Sequence, residues 1–258
     1  MKTFKGDFYN LLEKLKKGEN FSFIRFSDGE LFILQNKHLI LDNKDTRLDG
    51  NIVGPKYAIE DHKEFIPGQH EFFRKKLEDS LKFHKKNYYV GLSCKCCVGE
   101  DNFNLMKHLR GIEDEYTTWA NLFVNSNYPL FIQNFLPVLK NKKIIFVCNE
   151  EANLNKMPIN IVKDFRIGNN AMINNFEIYK EISKYIEENN IKDHIFLFSA
   201  SSLTNVTAYE LFKENENNTF IDIGTTLNPF LNLSIERSYL KAYWKKENNL
   251  DLLKTCVW

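Results

Sequence analysis

Two short segments of the chain are apolar at every position rather than at every second position. They are Ile144-Ile145-Phe146-Val147 and Ile195-Phe196-Leu197-Phe198. A strand with one face in solvent alternates apolar and polar residues, whereas a strand buried on both faces is apolar throughout. Strands of the second kind occur in parallel sheets that are covered by helices on both sides. The two segments therefore predict a parallel sheet flanked by helices.

Strand-like segments alternate with helical patterns along the rest of the chain. We predict strands at 21–25, 88–92, 143–148, 164–167, 194–198 and 219–223, and helices near 70–84, 101–110, 129–141, 172–189 and 203–214. No linker rich in Pro, Gly or Ser and no internal repeat divides this alternation. The pattern predicts one α/β domain over residues 1–258, with a Rossmann-like layered fold and a mostly parallel central sheet. In such folds ligands bind beyond the carboxyl ends of the strands.

The charge balance and the N-terminal pattern bear on whether the protein binds nucleic acid or spans a membrane. The 35 lysine and arginine residues nearly equal the 34 acidic residues, which does not indicate a nucleic-acid-binding surface. No apolar run approaches the roughly 20 residues that a transmembrane helix needs, and residues 1–20 lack the pattern of a signal peptide. Apolar residues there recur at helical spacing, which predicts an amphipathic helix packed on the domain. We expect a cytoplasmic protein without a transmembrane segment or a nucleic-acid partner.

The first predicted strand ends in a group of charged and small residues, Arg25 to Glu30. Asp28 and Glu30 are two residues apart, and in an extended or turn conformation their side chains project to the same side. Two carboxylates on one side suit Mn²⁺ or Mg²⁺, whose other ligands are water and phosphate oxygens. Gly29 permits close approach of a ligand, and Arg25 is placed to bind a diphosphate or to orient a carboxylate. The alternative is an ordinary turn between a strand and a helix, in which Asp28 caps the helix and Gly29 makes the bend.

A late predicted strand ends in a turn of small hydroxyl residues, with Ser199, Ser201 and Ser202 before the helix at 203–214. Such a turn leaves backbone N–H groups open at a helix start, where an anion such as phosphate is favoured. The alternative is that a serine here simply caps the helix.

Two parts of the chain, at about 21–34 and 195–230, resemble the GT-D glycosyltransferases. The segment Phe-Ile-Arg-Phe-Ser-Asp-Gly-Glu at 23–30 resembles the "IR-x-x-DGE" segment near the start of that family. The helix with Ala-Tyr-Glu-Leu at 208–211, followed by a strand that ends in Asp222 and Gly224, resembles the family's C-terminal half. The family commonly has a histidine after this glycine, whereas this chain has Thr225, so no histidine role is carried over.

The resemblance implies a metal-dependent glycosyltransferase that moves a sugar from a nucleoside diphosphate donor, with UDP expected by analogy. The acceptor would be a hydroxyl of a glycan, a glycoprotein or a lipid-linked saccharide. Mn²⁺ or Mg²⁺ would be held by Asp28 and Glu30, and these two residues and Asp222 are the catalytic candidates. The candidates for substrate and nucleotide binding are Arg25, Ser27, Gly29, Ser199, Ser201, Ser202, Gly224 and Thr225.

Two other functions remain open from the sequence. One is a catalytically silent module that binds a nucleotide or a glycan. The other is a different α/β enzyme that acts on a phosphorylated ligand, such as a phosphatase. Metal-dependent hydrolysis of a sugar nucleotide distinguishes the glycosyltransferase from the silent module, which is expected to show none. A phosphatase would need a nucleophile next to the acidic strand ends, and the sequence shows no Asp-x-Asp or Cys-x5-Arg pattern.

Further candidates follow two other predicted strands. Cys94 and Cys97 have the spacing of a zinc knuckle, with Cys96 between them, but no second such pair completes a tetrahedral set in the sequence. We favour thiols without a metal and keep zinc as the alternative. Glu150 and Glu151 follow the strand at 143–148 and are candidate general bases that rank below Asp222.

The segment at 119–128 is rich in aromatic and amide side chains. Aromatic faces stack on sugars and bases, and amides bond hydroxyl groups, but the same residues also occur in cores and turns. We predict that Trp119 belongs to the core, and we leave the role of Asn125 open.

Overall fold

A computed structural model describes residues 4–54 and 61–245, which contain a seven-stranded sheet and a four-stranded sheet. The strands in chain order are Ser22–Phe26 (β1), Leu39–Leu41 (β2), Thr46–Leu48 (β3), Asn51–Gly54 (β4), Lys63–Phe65 (β5), Tyr88–Leu92 (β6), Thr117–Trp119 (β7), Ile144–Asn149 (β8), Ile161–Ile167 (β9), Ile195–Phe198 (β10) and Thr219–Asp222 (β11). The larger sheet has the order β7-β6-β1-β11-β10-β8-β9, and every neighbouring pair is parallel. The predicted parallel sheet is confirmed.

Helices cover both faces of the parallel sheet. They are Phe4–Lys17 (α1), Asp28–Leu34 (α2), Glu71–Lys82 (α3), Lys95–Val98 (α4), Glu100–Arg110 (α5), Tyr128–Leu130 (α6), Leu136–Leu139 (α7), Ala171–Asn174 (α8), Ile178–Glu188 (α9), Leu203–Glu214 (α10), Asn228–Leu231 (α11) and Ser238–Lys245 (α12). Two predicted helices are interrupted. A π-helical segment, Phe131–Phe135, separates α6 from α7, and three residues separate α8 from α9.

Buried side chains form two apolar clusters, one on each face of the sheet. Alternate residues of β1 divide between them, with Ile24 and Phe26 in one cluster and Phe23 in the other. The segments 144–147 and 195–198 are at most 4% exposed, which agrees with their continuous apolar character. This two-sided burial is the reason that the strands do not alternate in sequence.

Helix α10 is buried along nearly its whole length, from Leu203 to Phe212. It packs against β1 and β11 and against α3 and α9. Ala208 and Leu211, which carry part of the family resemblance, belong to the apolar cluster on that face. Their part in the resemblance is therefore explained by packing.

The smaller sheet is antiparallel, with the order β4-β3-β2-β5, and the sequence pattern did not predict it. Its strands are three or four residues long, so each is too short to show a period. The sheet lies between α2 and α3 in sequence and brings β5 to the cleft described below.

The N-terminal helix α1 packs on the domain, as its sequence pattern predicts. Phe8, Leu11, Leu12 and Leu15 are at most 2% exposed and join the second apolar cluster. Among residues 4–54 and 61–245, no helix has the length and apolar character to cross a membrane.

Candidate functional site

The carboxyl ends of five parallel strands, β1, β6, β7, β10 and β11, open into one cleft with a volume of about 400 Å³. This position agrees with the general rule for ligand sites in parallel α/β sheets. All but one of the predicted site residues line it. Those residues are Arg25, Ser27, Asp28, Gly29, Glu30, Ser199, Ser201, Asp222, Gly224 and Thr225. Ser202 is the exception, because it is fully buried behind the cleft.

The residues Asp28 and Glu30 lie in a helix, so the predicted extended or turn conformation is wrong. Ser27 is the N-cap of α2, Asp28 is its first residue and Glu30 its third. The Ser27 N–H donates to Glu30 Oε2 at 3.0 Å, which is one half of a capping box. This hydrogen bond stabilises the start of helix α2 at Asp28 rather than an isolated turn. On a helix, residues two apart do not face each other, so the two carboxylates have different surroundings.

Glu30 lies in a network of donors at the back of the cleft. The Ser202 hydroxyl donates to Glu30 Oε1, and the Lys63 Nζ lies 3.7 Å from the same oxygen. Burial alone would raise the pKa of Glu30, but the Lys63 charge and the hydrogen bonds from Ser202 and the Ser27 N–H outweigh it. The pKa of Glu30 is therefore below its ordinary value, and the carboxylate is ionised at neutral pH.

Lys63 is a cleft residue that the sequence pattern did not identify. It is 7% exposed, on β5 of the smaller sheet, and its Nζ donates to Ser202 Oγ at 3.0 Å and to Ser201 Oγ at 3.3 Å. A Cβ atom at Gly29 would lie 2.9 Å from this Nζ, so the glycine gives the ammonium room. One lysine in a three-residue strand gives no sequence signal that would have identified it.

Arg25 binds Asp222 rather than Asp28 or Glu30. Its Nη2 donates to Asp222 Oδ1 at 2.8 Å, and the Gly224 N–H donates to the same oxygen at 2.9 Å. Burial raises the pKa of Asp222 above its ordinary value, although the guanidinium and the Gly224 N–H partly offset this effect. Of the two roles predicted for Arg25, orienting a carboxylate is the one that the structure supports, and that carboxylate is Asp222.

Every basic side chain that lines the described cleft is already paired with a carboxylate. The pairs are Arg25 with Asp222 at 2.8 Å, Lys63 with Glu30 at 3.7 Å and Arg237 with Asp61 at 3.5 Å. Asp28 is the fourth carboxylate, and within the described part of the chain it forms no ion pair. Three cations and four carboxylates give the cleft a formal charge of −1. A diphosphate would meet no net positive charge from these side chains.

The surroundings of Asp28 fit a divalent cation. Its side chain is exposed at the cleft, and Oδ1 accepts hydrogen bonds from the Gly29 N–H at 3.0 Å and the Ser27 hydroxyl at 3.2 Å. A carboxylate has about four acceptor positions, so oxygen lone pairs remain for an ion. Glu30 is more restricted, because both its oxygens accept hydrogen bonds and an ammonium lies beside it. Of these two carboxylates, Asp28 is therefore the one that could hold a hard divalent ion.

The C-terminal wall of the cleft comes from Arg237, Ser238 and Tyr239, none of which the sequence pattern identified. The Thr225 and Tyr239 hydroxyl groups are 2.7 Å apart, so Thr225 is in contact with this wall. Burial raises the pKa of Tyr239 to about 12, so its hydroxyl keeps its proton at neutral pH.

The remaining candidates divide between the cleft and other surfaces. Asn125, whose role the sequence left open, lines the cleft together with Cys97. Trp119 is 7% exposed and belongs to an apolar cluster, which confirms the core prediction. Glu150 and Glu151 are exposed and are not among the residues that line the cleft. Their position supports the higher rank of Asp222 as a base.

Comparison with known proteins identifies the fold. No family model and no curated protein matches the chain. A solved structure of a "highly conserved domain of unknown function 1792", described as having a distinct glycosyltransferase fold, aligns with a TM-score of 0.51 and 15% identity. The alignment covers 85% of this chain and 77% of that one. A selenomethionine structure of domain of unknown function 1792 aligns with a TM-score of 0.48 and 15% identity, over 85% of this chain and 82% of that one. The chain has a glycosyltransferase-like fold.

Proposed function

We propose that the protein is a metal-dependent glycosyltransferase that uses a nucleoside diphosphate sugar, with UDP expected from the family resemblance. The observation that carries the proposal is the charge arrangement of the cleft. Its three cations are paired with carboxylates, and Asp28 remains available at the end of β1. A diphosphate in this cleft requires an additional cation, and Asp28 is the residue that fits one. The glycosyltransferase-like fold supports the same function.

The chemistry of the bound ion is that of a Lewis acid. Mn²⁺ or Mg²⁺ held by Asp28 would neutralise charge on the diphosphate as it leaves the sugar. Residues of this chain would position Glu30 and the phosphate oxygens. Lys63 would hold the ionised Glu30 in place. The turn at 199–202 leads into the N-terminus of helix α10, where phosphate oxygens are favoured.

We assign Asp222 the role of proton acceptor for the attacking hydroxyl. It lines the cleft, and its raised pKa makes it a stronger base than an ordinary carboxylate. The guanidinium of Arg25 fixes one of its oxygens at 2.8 Å and so orients the group. The hydroxyl would belong to a glycan, a glycoprotein or a lipid-linked saccharide, used on the cytoplasmic side of the cell.

The test is release of UDP from a panel of UDP-hexoses in the presence of Mn²⁺, Mg²⁺ or a chelator. We expect slow hydrolysis of at least one donor with metal and none with the chelator. The Asp28→Asn variant should lose this activity, whereas Asp101→Asn should keep it, because Asp101 is exposed on α5 and does not line the cleft.

The same assay separates the alternatives. Metal-dependent UDP binding with no hydrolysis of any donor would contradict catalysis and favour a silent binding module. Release of inorganic phosphate from UDP or another phosphorylated ligand, without a sugar donor, would indicate a phosphatase instead. A panel of other nucleoside diphosphates that also failed to bind would contradict the glycosyltransferase proposal altogether.

A further inference from the structure

Three cysteine thiols converge at the edge of the cleft. The Sγ atoms of Cys94, Cys96 and Cys97 all lie within 4.8 Å of one another. Cys94 is buried two residues after the end of β6, whereas Cys96 and Cys97 are exposed on α4. Between residues 4–54 and 61–245, no other group of three histidine, cysteine or acidic side chains is arranged in this way.

The backbone of the turn explains why the sulfurs meet. The N–H groups of Cys97 and Val98 donate to the Cys94 carbonyl at 3.0 and 3.1 Å, which closes a tight turn at the start of α4. This turn brings residues 94 and 97 together, with the spacing of a zinc knuckle. Cys96 adds a third sulfur, 2.6 Å from Cys94 Sγ. The sequence shows the spacing of the outer pair, and the structure shows that the Cys96 sulfur lies beside them.

We propose that these three thiols bind one thiophilic metal ion, with Zn²⁺ as the first candidate, and that water occupies the fourth position. A Zn–S bond of about 2.3 Å places two tetrahedral ligands about 3.8 Å apart, which is inside the limits of the cluster. Cys96 must move away from Cys94 by about 1 Å to reach that separation. Its exposed side chain has room to do so.

The chemistry of this site differs from that proposed at Asp28. Thiolates select soft or borderline ions, whereas carboxylate oxygens suit Mg²⁺ and Mn²⁺. Binding of Zn²⁺ converts three thiols to thiolates and releases three protons, and no oxidant or reductant takes part. Because Cys97 lines the cleft, the ion would fix the turn at 94–97 beside the proposed substrate site. The proposal does not depend on the glycosyltransferase function.

The test uses the full chain, reduced with a phosphine and stripped with a chelator. Zn²⁺ is titrated against a chromophoric chelator, and Cd²⁺ is titrated while its thiolate charge-transfer absorption is recorded. We expect one ion per chain and release of about three protons per Zn²⁺ at a pH where the thiols are protonated. Cys96→Ser and Cys97→Ser should each weaken binding by about tenfold or more. Both positions are exposed, so these variants should fold normally.

Cys148→Ala is the matched control. Burial raises the pKa of Cys148 to about 12, so this core thiol keeps its proton and should not contribute to metal binding. Failure of the wild type to compete with the chelator would overturn the proposal. Unchanged affinity in the Cys96→Ser, Cys97→Ser double variant would also overturn it. The proposal would also be overturned if mass spectrometry detected a Cys94–Cys96 disulfide that forms in a glutathione buffer although Zn²⁺ is present.

Discussion

The Arg25 guanidinium donates to the Asp222 carboxylate across 2.8 Å and joins the carboxyl ends of β1 and β11, which are neighbours in the middle of the sheet. These residues are 197 positions apart in the chain. Their ion pair is largely buried, so removing either partner would leave the other charge poorly solvated. The pair thus sets the arrangement of the cleft on which substrate binding would depend.

Gly224 is the residue whose replacement tests that arrangement most simply. A Cβ atom there would lie 2.2 Å from Arg25 Nη2, and the backbone φ of +52° is itself unfavourable for alanine. We expect Gly224→Ala to lower the free energy of unfolding by about 2 to 4 kcal/mol. It should also weaken nucleotide binding, because Arg25 must move away from Asp222. Urea denaturation and calorimetric titration measure the two effects.

Gly18→Ala is the control for the backbone contribution. Gly18 has φ of +71°, but no atom of the described residues lies within 4 Å of the position that a Cβ atom would take there. This variant should lose about 1 to 2 kcal/mol of stability and keep nucleotide binding. Equal losses in the two variants would contradict a specific clash with Arg25.

The two carboxylates of α2 should respond differently to neutralisation. Glu30→Gln removes the partner of Lys63 and weakens the cap on the Ser27 N–H, so we expect a loss of about 1 to 3 kcal/mol in the free energy of unfolding. Asp28→Asn should change stability by less than about 1 kcal/mol, because Asp28 is exposed and contributes mainly at the helix dipole. Thermal denaturation compares the variants. A larger loss of stability for Asp28→Asn than for Glu30→Gln would contradict the structural role assigned to Glu30 and the ligand-binding role assigned to Asp28.

The pH dependence of stability should report the ionised state of Glu30. Its pKa in the folded protein is below the ordinary value of 4.5, so its contribution is fully present above that value. The contribution is lost as the pH falls through the lower folded pKa. The difference in unfolding free energy between wild type and Glu30→Gln should therefore be constant near neutrality and shrink below pH 4.5. A difference that grows as the pH falls would contradict a lowered pKa of Glu30 in the folded protein.

Lys63 should support nucleotide binding through Glu30. Lys63→Gln removes the charge that keeps the Glu30 pKa low and changes the contacts of Ser201 and Ser202. We expect metal-dependent nucleotide binding to weaken by about tenfold. Lys184→Gln is the matched control, because Lys184 is exposed on α9 and pairs with Glu188 across the helix surface. Equal binding in both variants would exclude a role for Lys63.

The sequence was sufficient to predict the parallel sheet and the convergence of the candidate residues at one edge of it, because both follow from strand burial and strand ends. The runs at 144–147 and 195–198 identify buried strands, and the acidic and serine-rich strand ends meet at one edge. The helical start at Asp28 was not predicted, because the Ser27 cap depends on the position of Glu30. Lys63 was not predicted either, because its role arises from contacts with residues 138 and 139 positions away.

The central claim is that Asp28 holds a divalent ion that the cleft needs in order to bind a diphosphate. Calorimetric titration of UDP with and without Mn²⁺, on wild type and on Asp28→Asn, tests it most directly. We predict that the wild type binds UDP only with Mn²⁺ and that Asp28→Asn loses this binding while remaining folded. Equal UDP binding with and without the ion, or unchanged binding in Asp28→Asn, would contradict the claim.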